Sequence, residues 1–443
     1  MPALPSDQVP FATAEPAALA EQDSLFARAA ARSNHLFSMM GQELCRAVPE
    51  QRLLSGRTPG ILLVPMNASG GSVVDYFPGM PEAWLQAVRE ERATLLFDHS
   101  GEGAGYIDDT GEIWHEAFAS LALPPRRVVF VTQNRAFAPL YYGWCGRNGT
   151  EPATILTYDY FIKSFFHRSW KEPQRVLQQR RRLVLERQPP EREFVCLAYK
   201  PRVWRLLLLT WLLRDGLWDK GFVSFGGLER TDGRVKAGST VWMEGGPREQ
   251  VLTLPLGADR APELERLRTM PPVTFDRNDR ESLPATLPRN RILDSSSRIY
   301  ARSLFSLISE TDMLDYQQRI TEKPFKALVQ GHPFVLFGNH QALELVRAFG
   351  FRTFGDWIDE GYDAIADPSA RFQAAYRAFL DFRPRAAALL RDDEGLRDVL
   401  LHNLEQAFGG VQRRFAAEID PAFCRALARA LAGEGPGPLA GAS

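Results

Sequence analysis

Short apolar runs without polar alternation recur along the chain: GILLVP (Gly60–Pro65), ATLLFD (Ala93–Asp98), RVVFVT (Arg127–Thr132) and ATILTY (Ala153–Tyr158). Runs of this kind suit strands buried on both faces, as in a parallel sheet covered by helices. Between the first two, MPEAWLQAVREE predicts a helix opened by Pro81, with Glu82 in its first turn. A second set follows. EFVCLAY (Glu193–Tyr199), GFVSFGG (Gly221–Gly227), SLFSLISE (Ser303–Glu310) and PFVLFG (Pro333–Gly338) read as extended segments. VWRLLLLTWLL (Val203–Leu213) reads as a core helix, too short to span a bilayer and carrying Arg205. TEKPFKALVQG supplies the helix before the last strand, and from Arg371 to about Ala432 the chain is helical and rich in Ala, Leu and Arg.

The pattern predicts an α/β fold of two Rossmann-like domains facing a central cleft, with a helical C-terminal segment. Residues 1–22 are expected to be a flexible N-terminus, 23–188 a first α/β domain, 189–380 a second α/β domain, 381–432 the C-terminal helices and 433–443 a flexible tail. The middle boundary falls at Pro189–Pro190, after FIKSFFHRSWKEPQRVLQQRRRLVLERQPPERE, which reads as the linker. Within it Arg180–Arg182 read as a solvated helix face in preference to a contact with an anion.

Composition narrows the function classes. A length of 443 residues exceeds one ordinary core, in keeping with two domains. A net charge of −1 argues against the broad positive field of a nucleic-acid binder. Cys45, Cys145, Cys196 and Cys424 are scattered without a CxxC pair, which speaks against a disulfide framework or structural zinc and for a reducing cytoplasm. MPALPSDQVPFATAEPAALAEQ lacks the apolar core of a signal peptide. A cytoplasmic protein is expected, with at most a peripheral association with membranes.

The densest group of ligand-capable side chains lies in QQRITEKPFKALVQGHPFVLFG (Gln317–Gly338). Thr321 is placed as a helix N-cap, Pro324 suits a first turn, and free N–H groups at such a helix start favour a phosphate. Lys323 adds a positive charge, and Glu322 a carboxylate able to accept from a ribose diol. Glu310 ends the preceding strand, bringing a second carboxylate to the same loop. The plainer reading is a capped amphipathic helix start with a surface Glu and Lys.

For a general base at a strand end, LLFDHSGEGAGY (Leu95–Tyr106) offers Glu102 first and Asp98 second. Against this stands a Gly-rich turn whose Asp caps the next element. NASGGS (Asn67–Ser72) reads as a tight turn ahead of an anion nest. TQNRAF (Thr132–Phe137) and TYDYF (Thr157–Phe161) end strands and would line an acceptor cleft. His99, His332 and His340 lie near these loops, with His332 read as structural. No Asp-X-Asp pair stands at a strand end. Asp108–Asp109 in a turn-like YIDDTGE and the acidic pair in RDDEG (Arg391–Gly395) read as solvated surface, so no metal is expected.

SLFSLISETDMLDYQQRITEKPFKALVQGHPFVLFG resembles the donor-binding segment of GT-B glycosyltransferases of the α1,3-fucosyltransferase type. There a strand ends in Phe-Glu-Asn, followed by a loop, Tyr/Ile-Thr-Glu-Lys, a helix and a Pro-containing strand. GNHQALELVRAFGFRTFGDWIDEGYDAIADPSARF (Gly338–Phe372) and FVCLAYKPRVWRLLLLTWLLRDGLWDKGFVSFGG are similar to a group of bacterial and viral glycosyltransferases. The resemblance implies that Glu322 holds the ribose, Lys323 the pyrophosphate, and that Glu310 lies near the donor sugar or base. Arg205 falls where the family places a phosphate-binding arginine, with Arg202 as the fallback. It further implies that 23–188 is the acceptor-side domain and 189–380 the donor-binding one, with metal-independent, inverting transfer from a nucleotide-sugar co-substrate to a glycan or small-molecule hydroxyl, without any other cofactor. Two departures stand out. Ser309-Glu310-Thr311 replaces Phe-Glu-Asn, which speaks against GDP-fucose, and YKPRVWR carries Trp204 where the bacterial group has His. The departures keep a non-catalytic nucleotide- or glycan-binding relative as the alternative, and another transferase on a similar scaffold as a third.

Overall fold

The computed structural model describes residues 8–14, 24–30, 35–56, 59–66, 72–101, 107–167, 173–228, 247–275 and 297–433. The described chain divides into two compact units: the first runs to Ser164 and is rejoined from Arg414, and the second takes Phe165–Arg413.

The first unit is built on a six-stranded sheet in the order β2-β1-β3-β4-β5-β6. Its strands are β1 (Val9–Thr13), β2 (Cys45–Ala47), β3 (Ile61–Pro65), β4 (Thr94–His99), β5 (Val128–Thr132) and β6 (Thr154–Thr157). All neighbours pair in parallel, with Leu62 opposite Leu95, Leu96 opposite Val129 and Phe130 opposite Ile155. Every residue of β3 and β5 is buried, which is why their sequence lacks polar alternation. The Glu82–Arg89 helix follows Pro81 as expected and buries Trp84, Leu85, Ala87 and Val88.

The structure corrects three expectations here. Val9–Thr13 is a buried strand inside the stretch expected to be flexible. Pro10 is tolerated there because the ladder to β3 begins only after it, at Phe11↔Ile61. Asp108 and Asp109 lie in a helix, Ile107–Ser120, and not in a turn. Trp114 and Phe118, one turn apart and buried, pull that segment against Phe130 and Phe77. Gly111 lets it come close to Trp144, since a Cβ there would stand 2.6 Å from the indole. Finally, the last helix, Asp420–Leu431, belongs to the first unit. Asp420 is buried, accepts from Tyr158 Oη at 2.8 Å and pairs with the Lys163 ammonium, and Arg127 donates to the Leu431 carbonyl at 3.0 Å.

The second unit carries a four-stranded parallel sheet in the order β10-β9-β7-β8, from β7 (Phe194–Leu197), β8 (Gly221–Ser224), β9 (Phe305–Ser309) and β10 (Phe334–Phe337). The Val203–Arg214 helix is buried from Trp204 to Leu213, the core helix its composition predicts. The Pro368–Phe382 helix packs Phe379 on Phe194 and Phe382 on Phe305.

The expected linker is largely helical: Tyr160–His167 and Pro173–Leu185 are helices, and the division between units falls at Ser164/Phe165, ahead of the exposed Pro189–Pro190. Arg180 is also not on a solvated face, because it lies with Val176, Leu177 and Val184 on the buried side of its helix. The C-terminal segment is helical as expected, through Ala386–Asp392, Glu394–Glu405, Val411–Arg414 and Asp420–Leu431. No described helix is long and apolar enough to cross a membrane.

Candidate functional site

In the second sheet the chain leaves β7 toward β8 on one side and returns to β9 on the other, so the strand order reverses between β7 and β9. Open parallel sheets bind ligands outside the carboxyl ends of their strands at such a reversal. The β7–β9 ladder is also the short one, Phe194↔Phe305 and Val195↔Ser306, whereas β7–β8 and β9–β10 each pair over four positions. Beyond β7 come Lys200, Arg202 and Arg205, and beyond β9 come Glu310 and the loop to Glu322.

Glu310 is 2% exposed and organises the far side of this point. Its Oε1 accepts from the Thr321 backbone N–H at 3.0 Å and from Thr321 Oγ1 at 2.9 Å. Its Oε2 accepts from Lys323 Nζ at 2.7 Å, and the ammonium also donates to Thr321 Oγ1 at 2.7 Å. Thr321 caps the Glu322–Leu328 helix as its sequence predicts, accepting from the Lys323 N–H. That helix has only seven residues, so its dipole is small. A Lys323 side chain 21% exposed keeps the ammonium both anchored and open to water.

Arg205 reaches the same neighbourhood from β7. It is 7% exposed, its Nη1 makes one long bond to the Lys200 carbonyl at 3.4 Å, and its Nε is buried without an acceptor. Burial pushes its guanidinium down, while the nearby charges of Glu310 and Glu322 push it back up and Arg202 adds repulsion. The structure therefore brings Glu310, Thr321, Glu322, Lys323, Arg202 and Arg205 together at one switch point.

Glu322 is half-buried and pairs with Lys326 at 3.4 Å. Burial alone would raise its carboxyl, but the ammoniums of Lys323 and Lys326 and its own backbone N–H outweigh that, bringing it from 4.5 down to about 2. A carboxyl lowered on folding stabilises the fold above its unfolded value, and that contribution fades as pH falls through the folded one. Glu322→Gln is thus expected to flatten the acid limb of stability between about pH 4.5 and pH 2, removing up to about 3 kcal/mol by urea unfolding. Identical acid limbs in the two proteins would refute this account of the carboxylate.

Arg371, Asp312 and Asn339, which sequence reading did not single out, hold the rim. Arg371, 1% exposed, donates to the carbonyls of Met313 and Gly338, which follow β9 and β10. Asp312 accepts from Arg319 at 3.1 Å and from Asn339 at 3.1 Å, and Asn339 also donates to the Leu314 carbonyl. Their signal was present only for Arg371, a charge standing in the buried helical stripe of Phe372, Ala375, Tyr376 and Phe379.

No family model matches the chain, and no curated protein matches it. In structure it is similar to a UDP-forming α,α-trehalose-phosphate synthase from Burkholderia xenovorans, with a TM-score of 0.40 and 12% identity, over 85% of this chain and 76% of that one. That likeness is too slight to bear on function.

The remaining candidates are in the first unit. Asp98 is fully buried: its Oδ2 accepts from the Leu36 N–H at 2.7 Å, and its Oδ1 accepts from the Ser100 N–H at 3.1 Å and Oγ at 2.5 Å. Both oxygens are engaged in shaping the strand end. Glu102 and Asn67–Gly71 lie outside the described residues. Thr132 at the end of β5 and Gln133 and Asn134 after it are buried, and Arg135 forks onto Asp159 at 3.2 and 2.6 Å. In the second unit His332 is structural, its ring nitrogens meeting Ser306 Oγ and the Tyr300 carbonyl. His340 meets the Ala364 carbonyl at 3.2 Å. The four cysteines are free and buried, and among the described residues no three His, Cys, Asp or Glu side chains group to hold a metal ion.

Proposed function

We propose that this chain is a GT-B-type glycosyltransferase that binds a nucleotide-activated sugar at the β7/β9 switch point. One observation carries the reading: Glu310, at the place where parallel sheets bind ligands, holds the Lys323 ammonium together with Thr321 and also acts by its charge on a buried guanidinium with an unused donor, Arg205. As the bond between the sugar's anomeric carbon and the diphosphate oxygen breaks, the leaving group gathers negative charge. Fixed cations stabilise that charge in place of a metal. Lys323 and Arg205 take this role, with Arg202 beside them. Glu322 accepts from the ribose hydroxyls. Glu310, with both oxygens engaged, acts as a positioning residue for Lys323 and Thr321.

In the transfer the acceptor oxygen bonds to the anomeric carbon from the face opposite the diphosphate, and its proton passes to a carboxylate. With Asp98 committed elsewhere, Glu102 is the proposed base. A glycan or small-molecule hydroxyl is the proposed acceptor. A thermal-shift panel of UDP-, GDP-, CMP- and dTDP-linked sugars tests the reading. One nucleotide is expected to stabilise the protein, and its sugar is expected to be hydrolysed slowly without acceptor. Absence of any nucleotide response would overturn the proposal. Binding without turnover would favour the alternative, a non-catalytic nucleotide- or glycan-binding relative, which the engagement of Asp98 also favours.

A further inference from the structure

Arg180 is 4% exposed on the inner face of the Pro173–Leu185 helix. Its Nε is buried with no acceptor, and among the described residues no carboxylate pairs with it. Its neighbour Arg181, by contrast, pairs with Glu405 at 2.5 Å. Burying a lone guanidinium costs several kcal/mol, so buried arginines ordinarily come with partners.

A second arginine converges on the same place. Arg187 donates from Nη2 to the Gly331 carbonyl at 2.5 Å, and its buried Nε also lacks an acceptor. Gly331 has a φ of +69°, and the Val184 side chain occupies the space a Cβ would need there. Val184 is one helical turn from Arg180, so the helix face bearing Arg180 lies against the Gly331–His332 turn. His332 feels both guanidiniums. Burial first, then Arg187 and Arg180, push its imidazole down to about 3, so it stays neutral. Burial pushes both guanidiniums down to about 10 with no acidic neighbour pushing back, unlike Arg205.

We propose that Arg180 and Arg187, at the amino-terminal edge of β9 and β10, form a binding site for a small phosphate-class anion. Two guanidiniums with unused donors match the charge and oxygen count of a tetrahedral dianion better than those of a single carboxylate. Half-buried Arg187 gives the anion its way in from solvent. The ligand is inorganic phosphate or the phosphoryl group of a small metabolite. The site lies at the opposite strand ends from the β7/β9 switch point and stands whether or not the proposed donor site does.

The test is thermal unfolding of the full chain in phosphate against chloride at equal ionic strength. Wild type is expected to gain stability saturably with phosphate. Arg180→Met, which keeps the volume, is expected to weaken that response at least tenfold in apparent Kd while remaining as stable as wild type without phosphate. Arg187→Gln serves if Arg180→Met fails to fold, and is expected to weaken the response likewise. Lys323→Ala is expected to retain it. Glucose 6-phosphate in place of phosphate separates the sources: tighter binding identifies a metabolite, equal or weaker binding free phosphate, and either ranking supports the site. A wild type indifferent to phosphate, or an equal response in wild type and Arg180→Met, overturns the proposal. So does a response lost in Lys323→Ala but kept in Arg180→Met, which would put the anion at the switch point.

Discussion

Arg371→Met is expected to cost about 4 kcal/mol of unfolding free energy, among the largest effects of any single substitution in this chain. The guanidinium donates from Nε to the Gly338 carbonyl at 3.0 Å, from Nη1 to those of Ile365 and Ala366 at 2.6 and 2.7 Å, and from Nη2 to that of Met313 at 2.7 Å. A hydrogen bond to a charged group contributes about 1.5–3 kcal/mol, and the bonds act as a unit, so their sum is an upper bound. Methionine fills the space but leaves the inward-facing carbonyls without donors. Lysine keeps the charge but lacks the planar fork, so Arg371→Lys is expected to recover less than half of the loss. Urea unfolding measures both. A loss below about 1 kcal/mol for Arg371→Met would show that water satisfies these carbonyls and that the residue does not hold the loops after β9 and β10.

Most strands of the two sheets were legible because they are largely buried on two faces and therefore written in apolar residues with little polar alternation. All eight runs singled out in the sequence form β3 to β10. The two strands that escaped notice lack that mark. β1 contains Pro10, and β2 is three residues long with Arg46 and Ala47 exposed. The Ile107–Ser120 helix was hidden by Asp108, Asp109 and Gly111, whose local preference is for turns, and tertiary contacts of Trp114 and Phe118 override that preference.

Side-chain chemistry was legible in part. A carboxylate at a strand end looks the same in sequence whether it faces a substrate or, as Asp98 does, caps the backbone of another loop. Nor does an arginine reveal its burial by its type. It does so by its register: Arg180 and Arg371 each occupy the apolar stripe of a helix, four residues from buried neighbours. In the sequence Arg180 is one of three consecutive arginines, a run that masks its helical phase.

Lys323→Ala is expected to raise the dissociation constant for the preferred nucleoside diphosphate about 10- to 100-fold, since each charge-assisted contact contributes about 1.5–3 kcal/mol and 1.4 kcal/mol is a factor of ten. The substitution also strips Glu310 of its ammonium. The carboxylate keeps two donors from Thr321, so a loss of stability is expected that leaves the protein folded at 25 °C. Lys326→Ala is the control. Its ammonium pairs with Glu322 at 3.4 Å, on the turn after Lys323, and removing it is expected to change affinity by less than about threefold. Arg205→Met should weaken binding as much as Lys323→Ala if the buried guanidinium turns its unused donor to the diphosphate. The two substitutions together should then cost more than the sum of the single effects, because in each single variant the remaining cation still partly neutralises the diphosphate. Titration calorimetry on the folded variants reads all four. Should Lys323→Ala and Arg205→Met both bind the nucleotide as wild type does, the β7/β9 switch point is not the donor site, and the cations there serve only to balance Glu310 and Glu322.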